Sequence, residues 1–404
     1  MKDQRKFIHF HCFVFLFIIY PFTLSSTEYL TIGGEKHGWE VSVHPDRGTI
    51  KQFRQLMGDV WETIPFRDDS LAGPAWSGMQ LCPSKKQLYV FEAHQGDIYY
   101  TLRYKAAYDH LIVECTISNR GDDVFRPEYS RLFIGVDSEM KTYPDWDTKF
   151  FPTLLRCEKD FAWGYFMSPR QIIMGIGVEE PVASYTLNYV YEGSMEWKWG
   201  HQIKTGSLDL LHCLPLPERH PQNNISLKPH ETRKWTLHLG VVDRLAGVKE
   251  KLSQWIQAPM IECEKYTMAG HETSRLLIHS QSGLEKLIVK APDGTQSVLP
   301  VDGVADNVYS ALFSPSSQKG LYRITATAIN GKTAEASIYI RNPWSWYMKN
   351  ARDFVARNPP LFSNGCEAFY GYYTAFLGAR HFPETSVDSI LEKRFNRTLP
   401  FFID

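Results

Sequence analysis

The hydrophobic period of this chain changes for good at Asn342-Pro343. From about residue 28 to residue 341 apolar residues recur at every second position between turn signals. Beyond Pro343 they recur at about every 3.6 positions. A period of two requires strands with one buried face, and its persistence over so long a stretch excludes a bundle or a coiled coil. The clearest strand is 111–118, closed by Asn119-Arg120-Gly121-Asp122-Asp123 as a turn. Segments 38–44 and 49–56 flank a Pro45-Asp46-Arg47-Gly48 turn, and 171–178 and 234–242 read as further strands. Segment 225–232 reads as a strand and turn feeding the last of these. The expectation is one large antiparallel sandwich with more than seven strands.

Segment 247–257 breaks the alternation with a short amphipathic helix, in which Val248, Leu252, Trp255 and Ile256 share a face. Ala258-Pro259 marks a boundary. Residues 260–341 form a second β unit with strands at 275–279, 284–290, 322–329 and 333–340. Asn330-Gly331 joins the last two, and a two-residue hairpin would need positive φ at both. Gly320-Leu321-Tyr322 is placed like a tyrosine corner, which suggests an immunoglobulin-like sandwich. The fold class expected is therefore mainly β with a C-terminal α segment. Pro343 sits at a natural first helical position. Trp344, Tyr347, Met348, Ala351, Phe354 and Val355 form the expected buried stripe of the first helix. A second helix covers 366–380 with Phe369, Tyr372, Tyr373, Phe376 and Leu377 apolar. A third starts near Ser386 with Val387, Ile390, Leu391 and Phe395 inward. The expected units are 1–26, 27–258, 259–341 and 342–404.

Residues 1–26 have a basic start, a mostly apolar middle from Phe7 to Leu24 and a small-residue exit at Ser25-Ser26, the layout of a signal peptide. A membrane anchor is the alternative, and His9, His11 and Pro21 disfavour it. The expected location is secreted, periplasmic or cell-surface, with no membrane contact after cleavage. The 404 residues carry 44 Lys+Arg against 45 Asp+Glu, which argues against a basic nucleic-acid clamp. The cysteines are widely spaced with no CxxC, so no redox or zinc motif is expected and no disulfide is assigned. There is no HExxH, P-loop, GxGxxG or GxSxG, and Gly175-Ile176-Gly177 is too short to count as a nucleotide motif. No metal and no cofactor are expected. The sequence does not specify an oligomeric state. Asn224-Ile225-Ser226 and Asn396-Arg397-Thr398 are glycosylation sequons.

Segments 342–357 (NPWSWYMKNARDFVAR) and 364–383 (NGCEAFYGYYTAFLGARHFP) resemble the opening helical hairpin of (α/α) toroid glycosidases and lyases that act on uronic-acid-containing glycans, β-glucuronidase-like families among them. The resemblance covers about 60 residues closely and the rest by architecture. It implies an exported glycan-degrading enzyme, a glycoside hydrolase or polysaccharide lyase, whose β units brace a toroid and whose partner is a polysaccharide or oligosaccharide. Such toroids continue for on the order of 300 more residues by that resemblance. This chain is accordingly expected to be an N-terminal portion, inactive if the later catalytic groups are required.

Glu367, Tyr370 and Thr374 fall at i, i+3 and i+7 of the second helix and so share a face. A carboxylate beside a phenol can bind a sugar or move a proton, and Glu367 and Tyr370 are the candidate catalytic pair. At a helix start, Glu367 equally suits the dipole. Gly371 and Gly378 would let a helix or ligand approach closely. Asn364 reads as an N-cap or as a sugar ligand. Trp197 and Trp199, two apart and followed by His201, would form a platform for pyranose rings on a strand, or fill the sandwich core. Asp145 and Asp147 read as an exposed acidic turn. The rival functions are a non-catalytic glycan-binding protein and an exported structural protein.

Overall fold

A computed structural model of the chain describes residues 28–66, 70–71, 76–83, 85–134, 151–167, 172–191, 201–212, 222–316, 318–358 and 366–398. Of these, 65, 129, 151–155, 187–191, 201–205, 222–223, 366–370 and 398 are described by backbone alone. The described residues are mainly β, in several antiparallel sheets followed by a few C-terminal helices.

The first β unit is built on an eight-stranded sheet in the order Phe151–Cys157, Ala162–Met167, Ile173–Val178, Thr232–Val242, Leu111–Asn119, Ile98–Ala106, Leu88–Gln95, Gln80–Leu81, every neighbour antiparallel. A four-stranded sheet (Leu30–Gly34, Trp39–Val43, Ile50–Met57, Val60–Pro65) and a three-stranded one (Ser184–Tyr191, His201–His212, Tyr129–Ile134) complete it. Strand Leu111–Asn119 buries every second residue, as its alternation requires. Those inward residues join Trp39, Phe53, Trp76, Phe91 and Trp235 in one core.

Strand Ile173–Val178 breaks that rule, since all its residues are buried. Its second face is covered by α1 (Val248–Ile256), whose Val248, Leu252, Trp255 and Ile256 are buried on the side the periodicity assigned. Glycine makes this fit possible. Gly175 pairs with Gly240 across the two strands. A Cβ on Gly240 would stand 2.8 Å from both His110 Cβ and the Trp255 ring, and one on Gly177 would collide with Ile256 Cγ2. The short Gly175-Ile176-Gly177 run thus seats a helix.

The second β unit pairs a four-stranded sheet (Met260–Cys263, Ser274–His279, Val308–Phe313, Gly303–Ala305) with a five-stranded one (Thr267–Ala269, Thr333–Arg341, Gly320–Ala328, Leu284–Lys290, Gln296–Val298). Strand Thr267–Ala269 runs parallel to its neighbour. Tyr322 is buried and its hydroxyl donates to Gln318 O at 3.0 Å, the back-bond of a tyrosine corner. The hairpin at Asn330-Gly331 forms, but not with the two positive φ values expected. Only Gly331 is left-handed, at φ 87°. Gly331 N donates to Ala328 O and Ala328 N to Lys332 O, a three-residue loop ending in a glycine bulge.

That loop also docks. Asn330 Nδ2 donates to Gln257 O at 2.7 Å and Lys332 Nζ to Ile256 O at 2.8 Å, both at the C-terminal end of α1. Thr333 donates from its backbone and its hydroxyl to Asp160 Oδ2. A second core joins Phe161, Trp163, Ile173 and Val242 of the first unit to α1 and to the interior of the second unit. Apolar continuity of this kind couples the two units mechanically.

Three helices follow: α2 (Trp344–Arg357), α3 (Cys366–His381) and α4 (Thr385–Thr398). The buried face of α2 is Arg352, Val355 and Ala356, whereas Trp344 and Phe354 of the expected stripe are each 65% exposed. Tyr372 and Ala375 of α3 and Leu391 of α4 complete a small core, while Tyr373 and Ile390 are exposed. Gly378 packs where a Cβ would collide with Met348 O of α2, the helix approach its glycine permits. The sequon at Asn224 is closed by folding: Asn224 is buried, donating to Pro181 O and accepting from Arg233. Asn396 is exposed.

Candidate functional site

The residues singled out from the sequence fall in two places. Glu367 and Tyr370 lie in the first turns of α3, on the helix the sequence predicted, and their side chains lie outside what is described. Thr374, on the same face by spacing, is exposed. Asn364 lies outside the described residues, as do Trp197, Trp199, Asp145 and Asp147. His201 opens strand His201–His212 and pairs with Tyr191.

The three-stranded sheet that includes His201 is braced by a buried carboxylate paired with a half-buried arginine. Asp209 accepts from Arg131 Nε at 3.0 Å and from Ser184 Oγ at 2.7 Å. One carboxylate thereby ties together all three strands of the sheet. Its charge is compensated by the guanidinium and by hydrogen bonds, which is the condition for burying it.

A second polar constellation lies beneath α1, and sequence reasoning missed it. A cavity of about 640 Å³ opens between the four-stranded sheet, the end of strand Thr232–Val242 and α1; His37, Trp39, Asp109, Arg244, Glu250 and Lys251 are among its lining residues. From its wall a hydrogen-bonded chain runs into the core. Lys251 Nζ stands 2.5 Å from Asp109 Oδ2. Asp109 Oδ1 is 2.7 Å from His110 Nδ1, His110 Nε2 is 2.8 Å from His238 Nδ1, and His238 Nε2 is 2.8 Å from Glu179 Oε1. His110 is 7% exposed and His238 3%. The Trp255 indole stacks on His110 with ring centroids 4.7 Å apart.

Charge placement sets the protonation of these groups. The hydrogen bond from His110, with help from Lys251 against the cost of burial, holds the Asp109 carboxyl well below the usual carboxylate range. Burial pushes the Glu179 carboxyl up, but the hydrogen bond and charge of His238 outweigh it and the net shift is down. Burial is the main cause that lowers the His110 imidazole, offset in part by Asp109 and reinforced by His238. The only sequence signal for this chain was a histidine flanked by Leu237 and Leu239 on a strand whose second face also carries Gly240. Among the described residues no group of three or more His, Cys, Asp and Glu is arranged to hold a metal ion.

No protein-family model matches the sequence, and no curated protein matches it. A solved structure does share the fold. A polysaccharide lyase superposes on 88% of this chain with a TM-score of 0.62 at 14% identity. The chain spans 58% of that lyase's length. A galactose mutarotase-related enzyme from Lactobacillus acidophilus overlaps 53% of the chain with a TM-score of 0.32 at 6% identity, too loose a match to inform the fold.

Proposed function

We propose that this chain is the N-terminal portion of an exported glycan-degrading enzyme, a glycoside hydrolase or polysaccharide lyase acting on uronic-acid-containing polysaccharide. The observation that carries the reading is the shared fold with a polysaccharide lyase over 88% of the chain. Its supports in the sequence are the signal-like residues 1–26 and the toroid-like segments 342–357 and 364–383. In this reading residues 259–341 are an immunoglobulin-like brace and α2–α4 begin an (α/α) toroid.

Glu367 and Tyr370 are assigned to the catalytic cleft, with Trp197, Trp199, His201 and Asn364 as sugar contacts. In an elimination the base removes the proton beside the uronate carboxylate. The electron pair forms the alkene as the bond to the glycosidic oxygen breaks, and that oxygen takes up a proton. Tyr370 is assigned the proton transfer in this reading. Glu367 serves either as a hydrogen-bond partner to the sugar or, in hydrolysis, as one of two carboxylates flanking the bond.

Products distinguish the two chemistries. Elimination yields a conjugated alkene with ultraviolet absorbance, and hydrolysis yields reducing ends without it. With the chain as part of an active enzyme whose products are those of hydrolysis, Glu367→Gln is expected to lower kcat/KM by roughly 100-fold or more, the usual scale for a group that moves a proton in the transition state. Unchanged turnover of uronate polysaccharide by Glu367→Gln removes that residue from the mechanism.

A further inference from the structure

The chain Asp109–His110–His238–Glu179 contains three hydrogen bonds, and their proton count is fixed. An ionised carboxylate only accepts. Asp109 and Glu179 at the two ends therefore each require an N–H from the imidazole beside them. The 2.8 Å bridge between His110 Nε2 and His238 Nδ1 requires one more. Three ring protons are needed, and two neutral imidazoles supply two. A chain with all three bonds made and both carboxylates ionised would carry one proton more than two neutral imidazoles, as a property of the pair. Its positive charge is compensated by the two carboxylates, and Lys251 offsets the second of these from the cavity side.

We propose that this four-residue chain, buried at its two imidazoles, is a proton-operated latch that holds α1, and through α1 the second β unit, on the eight-stranded sheet, and that acidification releases it. A fourth ring proton would set N–H against N–H across the His110–His238 bridge and place two cations in contact. Every partner of the latch lies at the junction. Lys251 and Trp255 belong to α1, and Trp255 both stacks on His110 and points its Nε1 at Asp109 Oδ2. Glu180 and Lys234 surround Glu179 from the first unit, and Lys332 does so from the second while donating to the last carbonyl of α1. Glu250 lines the cavity beside Lys251. Glu262 and His279 flank the far side of α1, their nearest atoms 3.6 Å apart. Gly240 is the clearance that lets the Trp255 ring reach His110.

The direction follows from linkage. The folded pKa of His110 lies below its unfolded value. Its contribution is therefore complete above the unfolded pKa of about 6.5 and is lost as pH falls through the folded pKa. Asp109 and Glu179 are both lowered, so their contributions are lost only at still lower pH, from about 4 downward.

The test is hydrogen exchange on the full chain between about pH 7.5 and pH 5, corrected for intrinsic exchange, paired with nitrogen NMR of the histidine rings. Opening of the α1 amides is expected to rise by up to about tenfold per pH unit below about 6.5, the limit for one linked proton. Amides of strands Leu111–Asn119 and Gly320–Ala328 should stay protected. The NMR spectrum at neutral pH should show three ring protons on the His110–His238 pair. His110→Leu should flatten the α1 response. Two ring protons on the pair, α1 opening that is flat with pH, or opening that rises in step with the two reference strands would each overturn the latch. The ring spectrum needs no variant and decides the matter if His110→Leu does not fold.

Discussion

Trp235→Ala is expected to cost about 3–5 kcal/mol, the range for truncating a fully buried indole in a core that collapses incompletely. Trp235 lies in the centre of the eight-stranded sheet, opposite Cys115, and is 1% exposed. Its ring packs into the core shared with Trp39 and Trp76, and its Nε1 donates to Pro181 O at 2.9 Å. The substitution leaves a void and removes one of the two hydrogen bonds to that carbonyl, which Asn224 Nδ2 also serves. Trp235→Phe separates the two effects. It retains most of the buried area and loses one hydrogen bond to a carbonyl that keeps another, so the expected loss falls to about 0.5–1.5 kcal/mol for that bond, plus the cost of a smaller void. Urea midpoints of the far-ultraviolet transition measure both. Equal losses for the two variants would show that the carbonyl, and not the cavity, dominates.

Arg352→Met is expected to release the helical segment and leave the β units in place. The Arg352 side chain is 3% exposed; Nη2 lies 2.8 Å from Asp353 Oδ1 and 2.8 Å from Glu384 Oε2, and Nη1 donates to Phe382 O. One guanidinium thereby ties α2 to the turn between α3 and α4. Losing one partner of a fully buried pair costs about 3–5 kcal/mol. Glu384 is 54% exposed and can turn to water, so the expected cost is about 2–3 kcal/mol. Hydrogen exchange should accelerate in α2–α4 and stay unchanged in strand Thr232–Val242. Arg352→Lys should recover only a part, because a single ammonium cannot serve three acceptors in the guanidinium's fixed plane. Full recovery by Lys would mean that charge alone holds the turn.

How far the sequence could be read depended on what each residue faces. Leu111–Asn119 was legible because one face meets the core and the other meets water, so its alternation is undisturbed. Helix α1 was legible for the same reason: its four large apolar residues fall on one side. Strand Ile173–Val178 was legible as a strand, but its second burial was not, since the glycines that admit α1 read locally as weak strand formers. Helix α2 was misread at its face. Counting aromatics placed Trp344 and Phe354 inside, whereas the contact with α3 is made through small residues and the buried Arg352. A period identifies a helix, but which side packs is decided by the partner's shape.

The candidate site divides along the same line. Glu367 and Tyr370 came from helical spacing on α3, a local property. The Asp109–His110–His238–Glu179 chain joins residues up to 129 positions apart in number, from Asp109 to His238, through the register of strands Thr232–Val242 and Leu111–Asn119. No local pattern encodes that register. His238 and Ile112 are paired positions, and His110 stands just before that strand begins. Only the sheet brings the imidazoles within reach of each other.

The measurement that tests the central claim most directly is affinity electrophoresis of the full chain through gels cast with uronic-acid-containing polysaccharides and with neutral ones. A glycan-acting lineage predicts retardation by at least one uronic-acid polysaccharide, diminished when Trp197 and Trp199 are both replaced by alanine. Unchanged mobility in every polysaccharide gel would contradict it.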